Sequence, residues 1–101
     1  MKIIVDEIAE GKVIRPHGKI DILTSAELRS MLNDLTKKKV MNIVVDLEQV
    51  TYIDSSGLAT LLEGLKNLKE YDGKMKLSNV PDRIQKVLSL MKLDMIFDIV
   101  K

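Results

Sequence analysis

The spacing of apolar positions divides the chain into short strands and three amphipathic helices. Lys2 to Ile8 mixes β-branched residues with charge and predicts a strand. After a Glu10-Gly11 turn, Lys12-Val13-Ile14-Arg15 predicts its hairpin partner. Pro16 has no N–H to give a ladder, so it ends regular pairing or places it at an edge. Gly18-Lys19-Ile20-Asp21 continues as extended chain or loop. Leu28, Met31, Leu32 and Leu35 then recur at the spacing of one helical face. In front of them Thr24-Ser25-Ala26-Glu27 reads as a capping box, with Thr24 on the Glu27 amide and Glu27 reaching back. Lys37-Lys38-Lys39 falls in the last turn, where cations complement the helix dipole.

Asn42 to Leu47 is a short, nearly all-apolar run, the mark of a central strand covered on both faces. Glu48 to Ile53 reads as a link to Asp54-Ser55-Ser56-Gly57, where a second helix starts. Its core stripe is Leu58, Leu61, Leu62, Leu65 and Leu68. Asp72-Gly73 signals a turn, and Lys74 to Ser78 alternates with period two as a half-buried strand does. Pro81 suits the first turn of a third helix with Ile84, Val87, Leu88 and Met91 on its face. Met95 to Val100 adds a last short strand or an apolar tail. Strands alternating with helices imply βαβ units, hence a partly parallel sheet with right-handed crossovers. A single α/β domain over residues 1–101 is the expectation.

Composition narrows the chemistry more than the architecture. The chain has 101 residues, 16 Lys+Arg against 15 Asp+Glu and a formal charge of +1. A dedicated nucleic-acid binder is usually far more basic, so no direct nucleic-acid contact is expected. No cysteine is present, which removes disulfides, thiolate nucleophiles and Cys-based metal sites. A single histidine, His17, excludes a zinc site built from several imidazoles. The apolar runs are far shorter than the ~20 residues that span a bilayer, and no targeting segment is legible, so the expectation is a cytoplasmic protein.

Few residues are left to carry chemistry, and each has an ordinary structural role beside the functional one. His17 is a surface histidine or a phosphoacceptor of the phosphocarrier kind, although the next helix starts only near Ser25. Asp21, Asp46 and Asp54 each sit near a strand end, where three carboxylates would hold Mg²⁺ or accept phosphate. The first strand runs into a hairpin rather than a helix, which fits that receiver-type arrangement poorly. Asp54-Ser55-Ser56-Gly57 is a helix cap on its bland reading. One cap position needs one side chain, yet three candidates stand in a row, and neither Leu58 nor Ala59 completes a capping box. The surplus hydroxyls have no activating histidine, so they suit a residue that is acted upon, with phosphorylation the obvious modification.

Gly18-Lys19-Ile20-Asp21, the strand Ile43-Val44-Val45-Asp46-Leu47 and Tyr52-Ile53-Asp54-Ser55-Ser56-Gly57-Leu58 together resemble the STAS domain. More narrowly, they resemble the bacterial anti-sigma factor antagonists, over essentially the whole chain. The resemblance implies a mixed four- to five-stranded sheet with helices packed mainly on one face. It also implies partner switching without catalysis or a cofactor. The unphosphorylated antagonist binds an anti-sigma factor that is an ATP-dependent serine kinase, and the sigma factor is released. The kinase then phosphorylates Ser55, with Ser56 as the alternative acceptor, and the complex comes apart; a PP2C-type phosphatase resets the switch. Asp21, Asp54, Ser55, Ser56 and Gly57 would lie on the partner-facing surface, on a chain that is a monomer when free. The same domain also serves as a scaffold in stress-signalling assemblies and as a subunit of lipid-transport systems. The family usually carries an acidic residue where this chain has Lys19, and a glycine after the third helix where it has Met91-Lys92-Leu93.

Overall fold

In the computed structural model, which describes residues 1–100, six strands and three helices follow in the order β1 (Lys2–Ile8), β2 (Gly11–Ile20), α1 (Ser25–Lys37), β3 (Asn42–Asp46), β4 (Val50–Ile53), α2 (Ser55–Lys69), β5 (Lys74–Ser78), α3 (Asp82–Leu90) and β6 (Asp98–Val100). A short 3-10 turn, Leu93–Met95, lies between α3 and β6. The sheet order is β1-β2-β3-β5-β6, with β4 paired to β2 off that path. Only the β1–β2 hairpin is antiparallel; the remaining pairings are parallel, as the βαβ pattern requires.

The register sets which side chains share a face. Ile14, Val45 and Leu77 lie side by side across β2, β3 and β5, as do Ile43 and Met75, and all five are buried. α1 and α2 cover this face with Leu28, Leu32, Leu58, Leu61, Leu65 and Leu68. The intervening positions Arg15, Val44, Lys74 and Lys76 form the opposite face, which is exposed or half-buried. There Arg15 bridges Asp6 and Asp46, with its Nε 3.3 Å from Asp46 Oδ2. Central β3 is therefore apolar on the helix side and half-covered on the other, less enclosed than its composition predicts.

Four local expectations change. The link from Glu48 to Ile53 contains β4, which raises the strand count to six. Pro16 ends nothing: β2 runs through it to Ile20. The antiparallel ladder to β1 continues across it, with Pro16 opposite Ile3, while the parallel pairing to β3 stops at Ile14 and that to β4 starts at Gly18. The capping box does not form. Thr24 precedes α1 without capping it; its hydroxyl donates to Lys19 O at 2.7 Å, while the Glu27 carboxylate pairs with the amino group of Met1 at 2.8 Å. Lys39 leaves the helix with φ 59° and places its ammonium 4.9 Å from the Tyr71 ring centre. The segment after Met95 forms β6, paired to β5 from Asp98 to Val100.

Candidate partner-binding and modification site

β2 and β4 are parallel neighbours, so the turns that leave them emerge at the same end of the sheet. One turn carries Asp21 into α1 and the other carries Asp54 into α2. Carboxyl ends of parallel strands are the usual place for a functional surface in such sheets.

Asp54 is the N-cap of α2. Its backbone is extended, and its Oδ1 accepts from the amides of Ser56 at 2.9 Å and Gly57 at 3.2 Å. The Ser56 hydroxyl donates to the same oxygen at 2.5 Å. That bond is the main reason the Asp54 carboxyl is held below its ordinary value of 3.8; the amides of Gly57, Ser56 and Ile22 add to it against partial desolvation. Of the two serines, Ser56 is therefore half-buried and engaged. Ser55 is exposed, and its hydroxyl makes no hydrogen bond within the described residues. It occupies the first position of a 15-residue helix, where the unpaired amides and the dipole favour an anion.

Gly57 is buried, and the reason is steric. A Cβ there would stand 2.7 Å from Ile20 Cγ2, 2.7 Å from Ile53 Cγ1 and 2.8 Å from Ile20 O. The absent side chain lets the first turn of α2 rest directly on the ends of β2 and β4. The Asp54 N–H closes the same junction by donating to Ile20 O at 3.2 Å. Gly57 thus brings the two acidic turns together and lies beneath the surface they form.

The neighbouring turn is built around Asp21. Its Oδ1 accepts from the amides of Leu23 at 3.0 Å and Thr24 at 3.1 Å, and its own N–H donates to Thr24 Oγ1 at 2.9 Å. Asp21 is half-buried, and Lys19 is exposed in register with Tyr52. Asp46, the third carboxylate of the cluster considered from sequence, faces Arg15 instead and accepts from the Glu48 amide at 3.0 Å. Among the described residues no three acidic, histidine or cysteine groups come together to hold a metal. His17 lies half-buried within β2, opposite Lys2 of β1.

Two residues that pattern reading passed over flank the site. Ile22 and Leu23 are 75% and 83% exposed in the turn between Asp21 and Thr24. Their signal was present as two aliphatic residues in a turn, a place where polar residues are the rule.

A family model of the STAS domain matches residues 2–101. The anti-sigma-B factor antagonist of Staphylococcus aureus is 33% identical over 88 residues, 87% of this chain and 79% of the relative. That of Bacillus subtilis is 30% identical over 82 residues, 81% of this chain and 74% of the relative. Among solved structures, the anti-sigma factor antagonist SpoIIAA in its unphosphorylated form superposes with a TM-score of 0.79 at 20% identity, covering 99% of this chain and 88% of that one. The phosphorylated form of SpoIIAA from Bacillus gives 0.77 at 20% identity, covering 99% and 92%. The mixed sheet, the three helices and these matches agree: the chain belongs to the STAS domain family.

Proposed function

We propose that this chain is an anti-sigma factor antagonist that works by partner switching, with Ser55 as the phosphoacceptor. In the unphosphorylated state it binds an anti-sigma factor that is also a serine kinase, and the sigma factor goes free. Phosphate on Ser55 ends the binding, and a PP2C-type phosphatase restores it. The protein is the substrate of these enzymes and has no catalytic role of its own. It needs no cofactor and acts in the cytoplasm; no helix among the described residues is long and apolar enough to cross a membrane.

One observation carries the assignment. Of the two adjacent serines at the start of α2, Ser56 is committed to Asp54 while Ser55 presents a free hydroxyl to solvent. A kinase reaches Ser55 without breaking a bond of the fold. The relatives named as anti-sigma-B factor antagonists supply the kind of partner. Asp21, Asp54 and Ser56 form the rim around the acceptor, and Gly57 sets its height above the sheet.

Release follows from charge. Phosphoserine adds about −1.5 to −2 at pH 7. The helix N-terminus tolerates that charge in the free protein, but next to Asp54, under a docked partner, it is desolvated against a like charge, which costs several kcal/mol. Each ~1.4 kcal/mol weakens binding tenfold, so the partner leaves while the fold remains. Incubation with candidate anti-sigma kinases and ATP, followed by phosphosite mapping, tests the assignment. Ser55→Ala is expected to bind the kinase and take up no phosphate, and Ser55→Asp to bind weakly with an unchanged thermal midpoint. Phosphate incorporated into Ser55→Ala would move the acceptor to Ser56.

A further inference from the structure

Ile22 and Leu23 do nothing visible for the fold. At 75% and 83% exposure they bury little apolar surface, yet the turn that carries them is closed by several hydrogen bonds. Asp21 Oδ1 accepts from the Leu23 and Thr24 amides, Thr24 Oγ1 donates to Lys19 O, and the Ser25 amide donates to Asp21 O at 2.8 Å. The result is a rigid turn that presents two aliphatic side chains to solvent. It is also coupled in position to the phosphoacceptor. Asp54 donates its N–H to Ile20 O, and Gly57 rests on Ile20, two and three residues before the exposed pair.

A protein that delivers a phosphoryl group to Ser55 must cover the turn beside it, so the same partner meets Ile22 and Leu23. We propose that these two residues are the apolar anchor of the interface: they enter a hydrophobic pocket on the anti-sigma kinase, adjacent to its phosphoryl-transfer site, and the fit of that pocket selects the kinase this chain answers to. The proposal rests on the partner-switching reading of Ser55. A turn already fixed in its bound shape loses little backbone freedom on docking, so apolar side chains it presents keep more of the energy of their burial. The placement also strengthens the switch. A phosphate dianion on Ser55 stands at the rim of the apolar pocket, where its hydration is stripped on docking.

The test compares the Ile22→Ser/Leu23→Ser double variant with a control at the other end of the domain. Leu90 and Met95 are as exposed, at 84% and 83%. They lie between the end of α3 and the start of β6, which runs parallel to β5, so they sit at the opposite end of the sheet. Affinity for the source organism's own anti-sigma kinase, loaded with ADP, is measured by calorimetry alongside thermal midpoints and phosphate uptake at Ser55. The double variant is expected to lose at least about tenfold in affinity, with its midpoint within a few degrees of wild type. The Leu90→Ser/Met95→Ser control is expected to bind as wild type does. Binding of the double variant within twofold of wild type, or an equal loss in the control, overturns the anchor while wild-type binding leaves partner switching standing. Failure of the wild type itself to bind the kinase or to take up phosphate at Ser55 overturns both.

Discussion

Asp54 holds the start of α2 together. Its carboxylate caps α2, orients Ser56 and leaves Ser55 free, so its removal has a cost that depends on pH. Asp54→Ala is expected to lower the thermal midpoint at neutral pH, as deletion of an N-cap does. The carboxyl is held below its ordinary 3.8, chiefly by the Ser56 hydroxyl, so its charged form is favoured in the folded state. That contribution is complete above pH 3.8 and fades as pH falls through the lower folded-state value. Denaturation of wild type and variant across pH 2–7 should therefore show the gap between them narrowing only at the acid end; a gap that widened there would refute the assignment. Gly57 offers a second test at the same scale. A methyl group there meets Ile20 and Ile53 side chains and the Ile20 carbonyl at 2.7–2.8 Å. Gly57→Ala is expected to destabilise by about 1–3 kcal/mol as an overpacking change, with a lowered thermal midpoint. From sequence Gly57 looked like part of the binding surface; only the approach of two strand ends shows why the position excludes a side chain.

At the scale of elements, periodicity was a good guide and local punctuation a poorer one. The three helical faces lie mostly where the apolar spacing puts them: Leu28, Leu32 and Leu35 are buried in α1, Leu58, Leu61, Leu65 and Leu68 in α2, Ile84 and Leu88 in α3, but Met91, expected on the α3 face, lies just past the helix end and is exposed. β4 was illegible because it is four residues long, with Val50 and Ile53 buried and Thr51 and Tyr52 exposed, and so shows no period-two alternation. Its identity as a strand comes from pairing with β2 across a register shift, a tertiary fact. The Thr24–Glu27 spacing suggested a capping box, but Thr24 was drawn into the turn that positions Asp21, and a closer partner won its hydroxyl. The turns predicted at Glu10-Gly11 and Asp72-Gly73 both form. Glu10 and Asp72, each just before a glycine, take the left-handed conformation, with φ 61° and 63°. After α3 the missing glycine matters directly, since Lys92 holds φ 58° and ψ 23°. A side chain in that region costs about 1 kcal/mol or more. Lys92→Gly is therefore expected to stabilise the domain by about 0.5–1 kcal/mol and raise the midpoint by a few degrees. A lower midpoint would mean that the lysine side chain contributes more than its backbone costs.

For the molecule as a whole, the question is whether a charge change as large as one phosphorylation can stay local. The formal charge is +1, and phosphoserine would carry it to about −0.5 to −1. Two local effects oppose each other in the free protein. The α2 dipole and its amides favour the dianion by roughly 0.3–1 kcal/mol, while neighbouring Asp54 repels it through a largely solvated gap where exposed charges interact weakly. Neither effect reaches the core, because Ser55 stands outside it and Asp54 is held by backbone amides of the cap. The Ser55-phosphorylated protein is thus expected to melt within about 4 °C of the unmodified one, since 1 kcal/mol moves the midpoint of a domain this size by about 4–8 °C. Electrophoresis under native conditions, by contrast, should reverse the sign of its mobility at neutral pH. Loss of binding with both outcomes would locate the switch at the interface. A midpoint lower by 10 °C or more would instead mean that phosphate acts by loosening the Asp54 cap, and that the two turns on β2 and β4 come apart when the protein is switched off.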